Sequence, residues 1–402
     1  MRKSNIHLGL ALQGAGWHPA AWREPDARPH DLFTAPYWAD LAIEAEQALL
    51  DFVTIEDTLG LQTATIHRPD TRTDQVRGDL DAVLLAARLG PLTRHIGLIP
   101  TANVTHTEPF HLATAIATLD YASSGRAGWR PQISARASDA AHFGRRVTPQ
   151  LTDNDVLAPE RIAARLRPLF DEARDVVEVA RRLWDSWEDD AEIRDTTSGR
   201  FIDHAKLHHI NFEGEHFSVK GPAITPRPPQ GQPVVASLAH ADIPYEFATA
   251  ASDVVFVTPA DRTQAATTIA EVAATASRTG RDTTTRPLRI FADLVVVIDD
   301  EPGLAASRKE RLDTNAGNPL TSDAAIFVGT SSELADLLLD WHEAGFDGFR
   351  LRPAVLPHDL IAITRKLVPE LQRRGLFREH YSATTLRGHL GLSRPKSRFA
   401  VA

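Results

Sequence analysis

The sequence contains no cysteine and a single methionine among its 402 residues. The missing thiols exclude disulfide staples, thiolate zinc sites, cysteine-held iron–sulfur clusters and cysteine nucleophiles. They say little about redox compartment, because a chain without thiols is safe anywhere. Long apolar runs are missing too: no uninterrupted stretch approaches the ~18 residues of a membrane span. The basic start, Met1-Arg2-Lys3, leads into Ile6–Leu12, which His7 and Gly9 interrupt, so no signal-peptide core follows it. A positive surplus is also absent. The 44 basic against 53 acidic side chains leave a net charge of −9, the wrong sign for a general nucleic-acid surface. These absences lead us to expect a cytoplasmic protein with neither membrane nor nucleic acid among its partners.

What is present is an alternation. Short β-branched runs, at Ile6–Leu12, Asp51–Glu56, His95–Thr101, Ala127–Ser134, Pro233–Ser237, Asp253–Thr258, Leu288–Ile298 and Gly345–Leu351, read as strands. Helical patterns follow at Ala35–Leu50, Leu80–Leu89, Phe110–Ala122, Glu160–Trp187, Pro244–Ala251, Arg262–Thr279, Ser332–Glu343 and His358–Arg374. Strand–helix alternation is the mark of a parallel sheet, and eight such units close most simply as an α/β fold of the (β/α)8 TIM-barrel type. A doubly wound open sheet is the alternative, but the chain lacks its Gly-rich phosphate turn. We expect one domain over residues 1–402, with insertions at about 135–159 and 189–232 over the C-terminal mouth and a tail at 375–402. Loops of that length in a compact domain are usually lids or excursions over a site.

In a barrel the chemistry sits at the C-terminal ends of the strands. That rule selects Gln13 to Pro19 with His18, the Glu56-Asp57-Thr58 tip, Thr101 to Asn103, Gln132 to Ser134, and Ser237 with His240 behind it. Glu56 and Asp57 are adjacent, so on a strand they face opposite ways and do not make an acid/base pair. Asp57 also has a plain reading as a cap for the next helix. Gly14 and Gly16 resemble half a phosphate loop but read better as a turn. His204 and His208, with His209 beside them, have metal-ligand spacing but no carboxylate on the same face, and no metal is expected. Neither a G-x-S-x-G elbow nor a Ser-His-Asp set can be argued from order alone. The residues by themselves stop at a barrel enzyme of unstated chemistry.

The motifs go further. His18-Pro19-Ala20-Ala21-Trp22-Arg23 is close to H-P-G-A-W-R, and Glu108-Pro109-Phe110-His111-Leu112-Ala113 to E-P-Y-H-L-A. Ser124-Gly125-Arg126-Ala127-Gly128-Trp129, Arg182-Leu183-Trp184-Asp185-Ser186-Trp187 and Val368-Pro369-Glu370-Leu371 through Phe377 continue the series in order. Over nearly its whole length the chain resembles the bacterial-luciferase-like flavin monooxygenases, in the branch that oxidises nitrilotriacetate, EDTA and dibenzothiophene sulfone. The resemblance implies a two-component enzyme using reduced FMN from a separate flavin reductase, together with O2, on a small organic substrate. It further implies a C4a-peroxyflavin kept from water, and assembly as a homodimer or homotetramer. Carried over by position, Asp57, Thr101, Asn103 and Ser134 would lie by the isoalloxazine, and His18 would be the catalytic acid/base or hydrogen-bond partner of the substrate.

Four positions, in three separate contacts, depart from the family pattern. The His and Tyr that would hold the flavin phosphate are Leu166 and Phe170 here, the Asn after Trp129 is Arg130, and the phosphate-facing Ser is Ala241. Arg130, Arg136, Arg145 or Arg165 could replace the lost charge, and His240 a lost donor. Two other readings therefore stay open: a non-catalytic or partner-subunit barrel with a degenerate phosphate site, and a relative gripping a deazaflavin or another cofactor. Trp184, Trp187, Phe377, Tyr381 and Leu390 suit either a subunit interface or packing within one chain.

Overall fold

The computed structural model describes residues 5–63, 70–150, 152 and 158–400. Eight strands, β1 (His7–Leu12), β2 (Phe52–Ile55), β3 (Gly97–Asn103), β4 (Gly128–Gln132), β5 (Val234–Leu238), β6 (Val254–Val257), β7 (Arg289–Ile298) and β8 (Gly348–Pro353), pair in parallel around a ring. The ring closes where β8 returns to β1, with Gly348 opposite His7. Such strands are covered on both faces, which is why Val254–Val257 and most of Arg289–Ile298 are apolar and buried. Each of the eight runs read from the sequence is a barrel strand, and the TIM-barrel expectation holds.

The helices that pack outside are α1 (Ala35–Gln47), α2 (Ala82–Leu89), α3 (Pro109–Ala122), α4 (Ala137–Phe143), α5 (Pro159–Trp184), α6 (Asp242–Ala251), α7 (Arg262–Arg278), α8 (Pro302–Ala316) and α9 (Ser331–Ala344). The helix after β8 runs from His358 to Arg373 through a π-helical turn at Ile363–Leu367, and a short one, Leu386–His389, follows in the tail. The structure adds two elements between β7 and α9 that the sequence pattern did not show: α8, and a ninth strand, Ala325–Gly329, beside β7 on the outside of the ring. Residues 135–159, which read as neither helix nor strand, contain α4. Residues 189–232 hold two hairpins, Glu192–Asp195 with Arg200–Ile202 and Phe212–Glu213 with Ser218–Val219. Among the described residues no helix is long and apolar enough to cross a membrane.

Two layers fill the barrel. Toward the N-terminal ends of the strands, Phe52, Phe256 and Phe291 meet with ring centroids 5.5 to 6.1 Å apart. Gly9 makes room for them, since a Cβ there would lie 2.2 Å from the Phe52 ring. Leu386 and Leu390 of the tail join this cluster and close the barrel bottom. Toward the C-terminal ends the filling is ionic. Arg350 donates to Asp293, Thr54 and Glu56, Arg352 donates to Asp293 and Asp323, and Arg130 donates to Glu56 and Thr101. Three carboxylates thus balance three guanidiniums, which is the condition under which buried charges are tolerated.

The aromatic and tail residues with two readings are packed within the chain. Trp184 is buried and donates to the Ala113 carbonyl at 2.9 Å, and Trp187 donates to that of Ala223. Phe377 and Leu390 are buried, and the Tyr381 hydroxyl donates to the Leu50 carbonyl at 2.8 Å.

Candidate functional site

At the strand tips lies a cavity of about 650 Å³, lined in part by Thr101, which takes a hydrogen bond from Arg130 of the ionic layer. The cavity brings together Asp57, Thr101, Asn103, Ser134 and His240, the five positions that the resemblance and the lost donor singled out for a cofactor. Its volume is that of an ordinary small-molecule site, with a mostly apolar lining and a few converging polar groups.

Each polar group is held by its own strand tip. The two neighbours Glu56 and Asp57 diverge as strand alternation requires: Glu56 turns into the barrel onto Arg130 and Arg350, while Asp57 faces the cavity. Asp57 Oδ2 also accepts from the Ala82 amide at 3.1 Å, in the first turn of α2, so its reading as a helix partner is realised as well. Burial raises the Asp57 pKa against the opposing pull of that amide. Thr101 Oγ1 accepts from Arg130 Nε at 2.9 Å. Asn103 Oδ1 accepts from the amides of Thr105 and His106, both at 3.0 Å, which commits its oxygen to the turn. The Ser134 hydroxyl donates to Asp139 Oδ2 at 2.7 Å.

His18 lies elsewhere. It is buried, 1% exposed, and is not among the residues lining this cavity. Its Nδ1 accepts from the Ala20 amide at 3.1 Å, which assigns the proton to Nε2, and Nε2 donates to Asp313 of α8 at 3.1 Å. Burial lowers its pKa, with Asp313 opposing. Both nitrogens are engaged in holding the loop after β1 to α8.

The positions that would carry a phosphate in the resemblance are in the cavity wall. Leu166 and Phe170 of α5 line it with Leu112, Ala115, Ile162, Leu238 and Pro244, an apolar surface without a donor for a dianion. Of the four arginines considered as replacements, two are spent. Arg130 is in the barrel interior on Glu56 and Thr101, and Arg145 pairs with Glu108 outside this cavity. Arg136 and Arg165 do line it. The first insertion therefore contributes directly to the site through Arg136 and Asp139, whereas no residue of 189–232 lines it. That second segment is tied to the end of α5 and to the tail: Arg227 donates to Asp185 and Asp189, and Arg394 to Asp189.

Three neighbours were not legible as site residues. Asp81 caps α2, accepting from the Leu84 amide at 2.8 Å, and its place before Ala-Val-Leu-Leu was the available signal. His111 reaches the mouth from the first turn of α3, where Pro109 marks the helix start. Asp79 has no such signal. It is brought beside Asp57 by the loop before α2 and takes a hydrogen bond from Gln62, and its pKa is pushed up to about 7 by burial first and the Asp57 charge second. His208, one of the histidines with metal-ligand spacing, instead meets Glu188 at 2.8 Å and stacks on Phe399, with ring centroids 3.8 Å apart.

Residues 15–311 match the luciferase-like monooxygenases. Across 461 aligned positions the chain is 31% identical to N-acetyl-S-(2-succino)cysteine monooxygenase of Bacillus subtilis (strain 168), with 99% of each chain covered. It is 30% identical to nitrilotriacetate monooxygenase component A of Aminobacter aminovorans, with 98% of each covered. A crystal structure of riboflavin lyase with modified FMN and its substrate riboflavin superimposes with a TM-score of 0.82 at 26% identity, covering 98% of both chains.

Proposed function

The chain belongs to the luciferase-like monooxygenase family, and on that premise we propose that it is the oxygenase of a two-component system, using reduced FMN from a separate flavin reductase and O2 to oxidise a small organic substrate. The observation that carries the reading is the cavity, whose lining includes Asp57, Thr101, Asn103, Ser134 and His240 together. A flavin ring suits it in size and in the mix of apolar wall and isolated polar groups. The wall at Leu166 and Phe170 does not suit a phosphate, so the fit is to the ring first.

When bound, the reduced flavin supplies the electrons that activate O2. The protein supplies binding, orientation and dryness. Leu112, Ile162, Leu166 and Phe170 exclude water from one side. Asp57, fixed by the Ala82 amide, offers an acceptor to ring N–H groups, and Asn103 and His240 offer donors to ring carbonyls. Arg130 donates to Thr101 Oγ1 and so fixes the hydroxyl that would face a bound ring. His18 enters as an organiser of the β1 loop, since a proton can pass through it only after the Asp313 or Ala20 contact opens. Among the described residues, His111 and His240 are the imidazoles that line the cavity.

Anaerobic titration with reduced FMN, followed by addition of O2, tests the proposal. Saturable binding and flavin reoxidation kinetics that differ from those of free flavin are expected. Absence of saturation with any flavin would return the chain to a barrel that keeps the fold without the chemistry.

A further inference from the structure

Arg136 is half-buried, lines the 650 Å³ cavity, and stands at the residue before α4. Its backbone amide is used, donating to Ser134 Oγ, but its guanidinium makes no hydrogen bond or ion pair with any described residue. That sets it apart from its neighbours. Arg165, the other guanidinium in the cavity, donates to the Pro149 and Gln150 carbonyls; Arg146 is bidentate on Glu172; Arg130 and Arg145 are in ion pairs. The nearby carboxylate does not quench Arg136 either. Asp139 is buried and takes the hydroxyls of Ser134 and Ser138 instead.

The space beside the guanidinium is kept open by a glycine. A Cβ on Gly60 would lie 3.0 Å from Asp139 Oδ1 and 4.0 Å from Arg136 Nη1. A guanidinium is a rigid fork of five donors matched to planar or tetrahedral oxyanions. Half-removed from water and left without an acceptor, it is poised to gain a charge-assisted bidentate contact when an anion arrives.

We propose that Arg136 is the anion-binding residue of the cavity and receives an oxyanion, phosphate or carboxylate, on the ligand. Two ligands of the monooxygenase reading carry that chemistry: the phosphate of FMN and a carboxylate on the organic substrate. The choice between them rests on that reading, whereas the anion site itself does not. Arg136 is on the first insertion, whereas α5 gives the cavity Ile162, Leu166 and Phe170 and an Arg165 whose guanidinium already donates to Pro149 and Gln150, so the proposal puts the anionic pole at Arg136.

The test compares wild type, Arg136→Gln and Arg136→Lys as full chains, with binding of FMN and of riboflavin read by flavin fluorescence. The two flavins differ only in the phosphate. If Arg136 holds it, wild type favours FMN and Arg136→Gln loses that preference by about tenfold or more, with Arg136→Lys between them. If Arg136 serves the substrate, the two flavins bind alike in every variant. Binding of succinate as a dicarboxylate probe to the flavin-loaded protein, read by calorimetry, then weakens by about tenfold or more in Arg136→Gln. Should wild type bind no flavin, the monooxygenase reading fails, and inorganic phosphate and succinate titrated into the flavin-free protein still judge Arg136. The proposal is overturned if Arg136→Gln changes neither the FMN-to-riboflavin ratio nor the binding of either anion, or if wild type binds neither anion nor any flavin.

Discussion

Arg130 Nε donates to Thr101 Oγ1 at 2.9 Å while the same guanidinium pairs with Glu56, so one side chain ties the C-terminal ends of β2, β3 and β4 together. The residue is almost fully buried, at 5% exposure, and its charge is balanced within a layer of three acids and three arginines. A balanced layer of this kind is costly to break from one side, because the remaining charge stays buried without its partner.

Arg130→Met is therefore expected to destabilise the fold by about 3–5 kcal/mol, since Glu56 keeps only Arg350 and Thr101 loses its donor. Urea unfolding of the two proteins measures this. A loss below about 1 kcal/mol would mean that solvent reaches Glu56, whose side chain is 17% exposed, well enough to replace the pair.

Asp79 gives a pH dependence with a definite sign. Its folded pKa, about 7, lies above the ordinary 3.8, with burial the larger cause and the Asp57 charge the next. A raised carboxyl pKa means that the folded state holds the proton more tightly than the unfolded chain. The stability it contributes is full below about pH 3.8 and is lost as the pH rises toward 7. Asp79→Asn cannot ionise, so its melting temperature is expected to match wild type near pH 4 and to exceed it near pH 8. Equal differences at the two pH values would show that folding does not shift the Asp79 pKa.

The strands were readable because buried parallel strands are short apolar runs, and the ends of the first five were the places where side chains were sought. α8 was not readable because its inward face, Ala305, Arg308, Leu312 and Ala316, contains an arginine, and that arginine is neutralised by Asp299 just before the helix and by Asp359 from a distant segment. Ala325–Gly329 is a five-residue strand on the outside of the ring, too short to stand out behind the Pro319 loop. The same division holds at the site. Strand-end geometry brought Asp57, Thr101, Asn103 and Ser134 into one list, whereas the burial of His18 depends on Asp313, 295 residues away, and the unpaired state of Arg136 among the described residues depends on Asp139 taking the Ser134 hydroxyl instead.

For His18 the geometry predicts a structural phenotype. His18→Ala leaves the Ala20 amide and the Asp313 carboxylate without their partner, a loss of about 1–3 kcal/mol for buried polar groups. Flavin affinity should stay within about twofold, because His18 does not line the cavity. The pH profile of turnover separates this from an acid/base role. Burial lowers its pKa and both ring nitrogens are engaged by Asp313 and Ala20, so the acidic limb of the wild-type profile should persist in His18→Ala; its disappearance would put His18 into proton transfer.

The apolar wall offers the last test. Phe170 stacks at a tilt on Phe247, with centroids 5.6 Å apart, and Leu166 lies one helical turn earlier on the same face of α5. Phe170→Tyr keeps the ring and adds a hydroxyl, and Leu166→His adds an imidazole. The pair introduces two donors into the cavity wall at small packing cost. If a flavin phosphate approaches this wall, the double variant should bind FMN more tightly than wild type by about tenfold or more, with riboflavin unchanged, since each charge-assisted hydrogen bond is worth about 1.5–3 kcal/mol. If the anionic pole is at Arg136, the new donors meet no anion. The double variant should then leave FMN affinity unchanged and weaken whatever apolar group normally lies against Leu166, because an uncompensated imidazole and hydroxyl must be desolvated there. Measured beside Arg136→Gln, the two outcomes locate the charged end of the ligand on one side of the cavity or the other.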